Sequence, residues 1–166
     1  MRDLIYSADK VKNTILRMAF EIYEHNLEEK EIVIAGIKNQ GYELARLLKT
    51  ELEQISSLKI SLIGVKMDKR QPYASDIVLE DIENESLDDK VVIVVDDVLN
   101  SGRTFAYCLK ALLQYKFRKI ELAVLVNRSH KQFPVSAKYK GYDLSTTISD
   151  YVEVQITDKV DIQLHD

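Results

Sequence analysis

The residues best placed to do chemistry lie between Lys90 and Thr104, where the chain reads KVVIVVDDVLNSGRT. Asp96 and Asp97 come first, directly after the β-branched run Val91 to Val95. They are followed by Asn100, Ser101, Gly102, Arg103 and Thr104, and then Phe105, Cys108, Leu109 and Leu112 recur at helical spacing. A loop of small residues feeding a helix leaves several backbone N–H groups unpaired and converging on one point. With the positive end of the helix dipole, these groups form a phosphate cradle. Gly102 allows close backbone approach, and the Ser101 and Thr104 hydroxyls add hydrogen bonds. The spacing is neither that of a Walker loop, whose lysine is missing, nor that of a dinucleotide-binding turn. Two carboxylates immediately ahead of such a cradle can accept hydrogen bonds from vicinal hydroxyls. The combination points to a sugar phosphate.

The surrounding elements must hold these groups in place. Val91 to Val95 has the composition of a strand buried on both faces of a parallel sheet, and the acidic pair is expected to end it. An amphipathic helix is predicted from about Ser7 to Asn26, with Val11, Ile15, Met18 and Ile22 on one stripe and Ser7 or Asp9 as cap. Ile32 to Ala35 reads as a short strand leading into Gly36-Ile37-Lys38-Asn39-Gln40-Gly41, with Leu44, Leu47, Leu48 and Leu52 marking the helix that follows. Leu58 to Met67 is another strand, and the polar run Asp68 to Asp76 around Pro72 is an excursion. Asp76 to Asp81 reads as a short added strand, and Asn84 to Lys90 as an acidic turn. Ile120 to Val126 is the next core strand, opening into Asn127-Arg128-Ser129-His130-Lys131-Gln132-Phe133-Pro134. Residues 137–143, 152–156 and 160–164 alternate like strands with one solvated face.

Composition narrows the class. The chain has 166 residues, 46% hydrophobic and 30% charged, which predicts one domain with a core that needs no staples. A net charge of -4 provides no global attraction to nucleic acid or anionic membrane. Cys108 is the single cysteine, which excludes an internal disulfide framework, and its place on an apolar helix face marks it as a packed core thiol. The amino terminus lacks a signal-peptide core and no run reaches transmembrane length, so no membrane association and a cytoplasmic location are expected. His130 has no partners at metal-ligand spacing.

Val94 to Thr104 resembles the phosphoribosyl-diphosphate (PRPP) binding motif of the type I phosphoribosyltransferases: hydrophobic residues, two acids, a short variable run, then T-G-x-T, with Ser101 in place of the first threonine. Gly36-Ile37-Lys38 with Gly41 is similar to the G-I-K-T-R-G loop of one subfamily, the pyrimidine-operon attenuators that are also uracil phosphoribosyltransferases. Asn39 and Gln40 stand where that loop has Thr-Arg. Leu122 to Val126 with Arg128, His130 and Pro134 matches the same subfamily's L-A-V-L-V-D-R-G-H-R-E-L-P. There Asn127 replaces aspartate and Ser129 replaces glycine.

The resemblance implies a single α/β domain over residues 1–166, with a mainly parallel twisted sheet flanked by helices and a small hood over its carboxyl edge. It implies transfer of ribose 5-phosphate from PRPP to a nucleobase, a pyrimidine such as uracil favoured, with Mg2+ on the diphosphate. Asp96 and Asp97 would hold the ribose and residues 100–104 the 5′-phosphate. Lys38, Asn39, Gln40 and Gly41 would line the diphosphate, and Asn127 and Arg128 would stand near the base. Lys69 and Arg70 either supply cations from a closing loop or belong to a solvated charged segment. Without the subfamily's arginine, position 40 is expected to limit turnover. Two other readings stay open: a nucleotide-responsive RNA-binding regulator, and a PRPP- or nucleotide-binding protein with little turnover. The subfamily's basic position near its carboxyl end is occupied here by Ile148, which disfavours RNA. The family also implies a homo-oligomer, dimer or tetramer.

If the acidic pair grips the ribose, replacing Asp96 and Asp97 by Asn removes charge-assisted hydrogen bonds worth about 1.5–3 kcal/mol each. Calorimetry with PRPP is expected to show affinity falling by more than about tenfold; unchanged binding would remove the assignment.

Overall fold

Valine and isoleucine crowd the segments that become strands, and the element order follows them. The chain runs β1 (Arg2–Tyr6), α1 (Ala8–Glu24), β2 (Glu31–Ile37), α2 (Gln40–Ile55), β3 (Lys59–Lys66), β4 (Val78–Glu80), β5 (Val91–Leu99), α3 (Arg103–Leu112), β6 (Lys119–Arg128), β7 (Tyr139–Leu144), β8 (Tyr151–Ile156) and β9 (Val160–His165). A computed structural model describes residues 2–82, 86–157 and 159–165. The expected acidic turn at 84–90 lies partly outside that range; within it, Asp88 and Asp89 form a turn, and Asp89 has a positive φ of 61°.

Six strands form the central sheet in the order β4–β3–β2–β5–β6–β7. All its pairings are parallel except the short edge strand β4, which runs antiparallel to β3. Its interior strands are apolar on both sides, as a sheet covered on both faces requires. Val91, Ile93 and Val95 join Val11, Ile15, Met18, Leu44 and Leu48 in a cluster under α1 and α2. Val92 and Val94 point the other way, toward Cys108 and Leu112 of α3. Each large side chain so buried contributes about 1.5–3 kcal/mol relative to exposure. Helix α1 starts where predicted, with the Ser7 hydroxyl accepting from the Lys10 N–H at 3.4 Å.

The acidic pair does not end β5. The strand continues to Leu99 because β6 is long enough to pair with it: Asp96 lies opposite Val124, Val98 opposite Val126 and Leu99 opposite Asn127. The ladder therefore satisfies the backbone beyond the carboxylates, and β6 itself runs on to Arg128.

The hood is a three-stranded antiparallel sheet in the order β1–β9–β8. Strand β1 was not anticipated from the sequence. Its partner β9 comes from the other end of the chain, with Arg2 opposite His165 and Leu4 opposite Gln163. Val152, Val154, Ile156 and Ile162 of the hood are buried in the same cluster as α1 and α2. Tyr6 stacks on Tyr142 of β7 at 3.9 Å between centroids. Among the described residues, no helix is long and apolar enough to cross a membrane.

The order of the sheet creates the site. From β2 the chain moves through α2 to β3 on one side, and from β5 it moves through α3 to β6 on the other. The loops leaving β2 and β5 therefore diverge, opening a crevice at the carboxyl end of two adjacent strands. Gly41 is what lets α2 begin beside that crevice. A Cβ there would lie 2.8 Å from Val95 O and 3.0 Å from both Asp96 Cα and Asp96 Oδ1. Gly41→Ala is expected to cost about 1–3 kcal/mol through overpacking, seen as a lowered midpoint in denaturant unfolding. An unchanged midpoint would show that the α2–β5 contact can yield.

Candidate active site

Asp96, Asp97, residues 98–105 and Lys69 line a single cavity of about 430 Å³ at the end of β5, closed on the hood side by Tyr151 and Val152. The loop from Asn100 to Thr104 is held in a defined shape between β5 and α3. Gly102 caps α3 with φ +87°, where an added Cβ would overlap Val135 Cγ2, so side chains are excluded by both conformation and space. Ser101 O accepts from the backbone N–H groups of Gln132 and Phe133 at 2.9 and 3.0 Å, which pins the cradle to the loop after β6. Ser101 Oγ accepts from Arg103 N at 3.3 Å, so the first N–H of α3 already has a partner.

The two carboxylates have different environments. Asp96 is only 5% exposed, and its Oδ1 accepts from the Asp97 backbone N–H at 2.9 Å and from Lys69 Nζ at 2.7 Å. Asp97 is half-buried, with Oδ1 3.5 Å from the same ammonium. Burial, reinforced by the neighbouring Asp97 charge, pushes the Asp96 carboxyl up to about 7 against the opposing pull of Lys69. For Lys69, burial alone favours the neutral amine. The Asp96 and Asp97 charges outweigh it and hold the ammonium above the usual lysine range. Cys108, behind the site, is pushed up to about 12 by burial and by Asp96, as befits a packed thiol.

The segment that carries Lys69 is strapped down. Arg103 donates to the carbonyls of Lys69 and Arg70 at 3.4 and 3.2 Å. Tyr73 leans on Tyr107, which meets Phe133 edge-on. Of the two cations expected from this loop, Lys69 enters the cavity, whereas Arg70 is exposed and contributes its backbone.

The loop after β2 contributes less to the cavity than expected. Lys38 is ion-paired to Glu80 of β4, and that hydrogen bond holds its ammonium above the usual range. Asn39 is exposed at the start of α2 and makes no side-chain cap. Gln40 lines an adjoining recess shared with Asp97, Tyr151 and Val152, and its Oε1 accepts from the Ile156 N–H at 2.9 Å. Gln40 thus anchors the hood, and an arginine, which only donates, would leave that N–H without its acceptor. Position 40 therefore has a structural partner in addition to its place after β2.

Asn127 and Arg128 also differ from expectation: neither lines the cavity. Asn127 donates to Asp143 Oδ1 at 2.7 Å and accepts from Lys131 Nζ at 2.9 Å, because β7 packs alongside β6 there. Arg128 is 7% exposed, and its guanidinium is committed to protein acceptors. The group that reasoning from sequence missed is Tyr151, which is 59% exposed at the rim of the cavity. An aromatic opening an alternating strand was the available signal. With Val152 it offers a flat apolar wall suited to a planar ring.

Among the described residues, no cluster of three or more His, Cys, Asp or Glu is placed to hold a metal ion. Asp96 and Asp97 are hard oxygen donors, which fit a Mg2+ whose remaining ligands come from a phosphorylated substrate.

Comparison with known proteins identifies the family. The phosphoribosyl transferase domain family matches residues 1–159. The bifunctional protein PyrR of Haemophilus influenzae is 35% identical over 97% of this chain and 94% of its own. That of Ligilactobacillus salivarius is 32% identical over 97% and 94%. Among solved structures, the hypoxanthine phosphoribosyltransferase of Trypanosoma cruzi superposes with a TM-score of 0.78 at 11% identity, covering 96% of this chain and 95% of that one. A hypoxanthine-guanine phosphoribosyltransferase from Bacillus anthracis gives 0.72 at 16% identity, covering 90% and 84%.

The raised Asp96 carboxyl has a testable consequence. Its folded-state proton is held more tightly than in the unfolded chain, so its contribution to stability declines as pH rises from the ordinary carboxylate range through about 7. Ionisation over the same window supplies the acceptor that sugar hydroxyls need. Affinity for ribose 5-phosphate is expected to rise about tenfold more between pH 6 and 8 in the native chain than in Asp96→Asn, whose titration reports the ligand's own phosphate. Parallel pH profiles in calorimetry would remove Asp96 from the binding site.

Proposed function

The chain belongs to the phosphoribosyl transferase domain family and is a pentosyltransferase, and from that premise we propose that it transfers ribose 5-phosphate from PRPP to a nucleobase, with uracil favoured. The observation that carries this reading is one cavity shared by the acidic pair, the phosphate cradle and an aromatic wall. A ring nitrogen of the base attacks C1 of the ribose, the bond from C1 to the diphosphate oxygen breaks, and the proton on that nitrogen passes to solvent or diphosphate. The products are a nucleoside 5′-monophosphate and diphosphate.

In this reading the cradle from Asn100 to Thr104 holds the 5′-phosphate and thereby fixes the ribose over Asp96 and Asp97. The carboxylates orient the ring through its hydroxyls, and their negative charge favours the cationic character that C1 develops. Lys69 occupies the acidic pair in the free chain, so substrate hydroxyls must displace it. The displaced ammonium then lies beside the departing diphosphate, supplying the positive charge that Lys38, paired to Glu80, does not bring into the cavity. Tyr151 and Val152 cover the base face and exclude water from it. Mg2+, held by substrate oxygens with Asp96 and Asp97, supplies charge neutralisation for the leaving group when bound.

The distribution of cations bears on the RNA-binding alternative. Arg118 is paired with Glu29, Lys119 and Lys138 share Glu121, and Lys140 lies 3.8 Å from Asp143. Carboxylates beside the cations, and a net charge of -4 over the chain, weaken the field that would draw a polyanion to them. The expected outcome is therefore weak RNA binding, with monophosphate formation from uracil when a panel of bases is incubated with PRPP and Mg2+ and followed by chromatography. PRPP binding without product from any base would move the chain to the ligand-binding reading. Submicromolar, nucleotide-dependent retention of an RNA hairpin in a gel shift at near-physiological salt would promote the regulator.

A further inference from the structure

The excursion between β3 and β4 carries Lys69 into the cavity, and a side chain from the first turn of α3 holds it there. Arg103 Nη2 donates to the carbonyls of Lys69 and Arg70 at 3.4 and 3.2 Å, while Lys69 Nζ reaches Asp96 Oδ1 at 2.7 Å. The excursion is fixed elsewhere too. Asp68 Oδ1 accepts from the backbone N–H groups of Arg70 and Gln71 at 2.9 and 3.2 Å, closing a tight turn. Pro72 is buried, and Tyr73 lies 6.4 Å from Tyr107 of α3 between ring centroids. Arg103 is tied down at its own base, since its backbone N–H donates to Ser101 Oγ.

The helix that Arg103 starts does not account for it. A cation in the first turn opposes the helix dipole, and α3 has no acidic residue there to offset it. Among the described residues no carboxylate is ion-paired with this guanidinium, whose hydrogen bonds go instead to two successive backbone carbonyls. A rigid, weakly hydrated guanidinium bridges such a pair with less loss of freedom than a lysine ammonium would. Because these bonds end on backbone, the Lys69 side chain keeps its own rotatable bonds. Its ammonium can leave the acidic pair while its Cα stays in place.

We propose that Arg103 is a positioning residue that acts through Lys69. It fixes the Lys69 backbone at the cavity, so that the ammonium passes from the acidic pair to the departing diphosphate by a change of rotamer, without the excursion opening. This rests on the phosphoribosyl-transfer reading above and adds to it a residue that touches no reacting atom. A rotamer change is faster than a loop rearrangement, and a tethered ammonium is already oriented when the leaving group gains charge. In this assignment the Arg103 side chain serves the rate rather than the affinity, and the backbone of the cradle holds the 5′-phosphate.

The test combines amine labelling with kinetics on the full chain. Acetylation read residue by residue in mass spectrometry reports how freely Lys69 leaves the cavity, with exposed Lys12 as internal reference. Arg103→Met, which removes the fork and adds no amine, is expected to raise Lys69 labelling relative to Lys12 by about tenfold. With PRPP, Mg2+ and uracil, Arg103→Met and Arg103→Lys are each expected to lower kcat by about tenfold through lost positioning. Calorimetry is expected to place the PRPP affinity of Arg103→Lys, which keeps the charge, within about threefold of native. In a Lys69→Met background, the same Arg103 substitutions are expected to change kcat by less than about twofold, because a strap with nothing to position has no effect. A purely structural role would lower kcat by the same factor in both backgrounds. Unchanged Lys69 labelling, independent effects of the two positions, or a tenfold or greater loss of PRPP affinity in Arg103→Lys (about 1.4 kcal/mol) would each overturn the proposal. A native chain that forms no monophosphate from any base would instead overturn the transfer reading, and with it the role of Arg103 in the rate.

Discussion

A carboxylate can sit at the end of a buried parallel strand only if something offsets the loss of its water. At Asp96 that offset is local and specific: the Asp97 N–H and the Lys69 ammonium both reach Oδ1. The remaining imbalance appears as a carboxyl raised to about 7, because burial and the second aspartate together outweigh one lysine. A group left partly unsatisfied in this way is ready to exchange partners. In the proposed function, vicinal hydroxyls of a sugar take over the hydrogen bond of Lys69, and the ammonium stays near enough to offset the acidic pair's charge.

The rest of the architecture keeps that aspartate where it is. The sheet order places β2 beside β5 while their helices leave in opposite directions. Gly41 then lets α2 approach within contact of Asp96 without a Cβ in the way. On the other side, Gly102 turns the chain through a left-handed conformation into α3, so the cradle opens directly after the strand that carries the acids. Apolar packing on both sheet faces makes these positions rigid, since Val92 and Val94 are locked on one side and Ile93 and Val95 on the other.

The hood is a separate problem, because a three-stranded sheet built from both chain ends has little core of its own. It is held by buried Val152, Val154, Ile156 and Ile162 and by two polar ties, Gln40 to Ile156 and Arg128 to the 146–150 segment. Both ties begin at residues adjoining the site. The hood is thus coupled through named hydrogen bonds to the start of α2 and the end of β6.

Local sequence determined a good deal of this. The β-branched run before Asp96, the apolar stripes of α1 and α2, and the small-residue loop into α3 each carry their signal within a few residues, because strand burial, helix amphipathicity and cradle chemistry are short-range properties. That is why the order of strand, acidic pair, loop and helix was legible, and why β2, β3 and β6 begin and end within two residues of their expected positions. What only the tertiary structure decided depends on partners distant in sequence. Strand β5 outlasts its acids because β6 extends alongside it; β1 exists because β9 returns to pair with it. Lys38 turns to Glu80, Gln40 to Ile156 and Arg128 to Asn100 across separations of 42, 116 and 28 residues. A long polar side chain has many rotamers and no periodicity to reveal its choice, so its role is set by whichever acceptor the folded chain brings within reach.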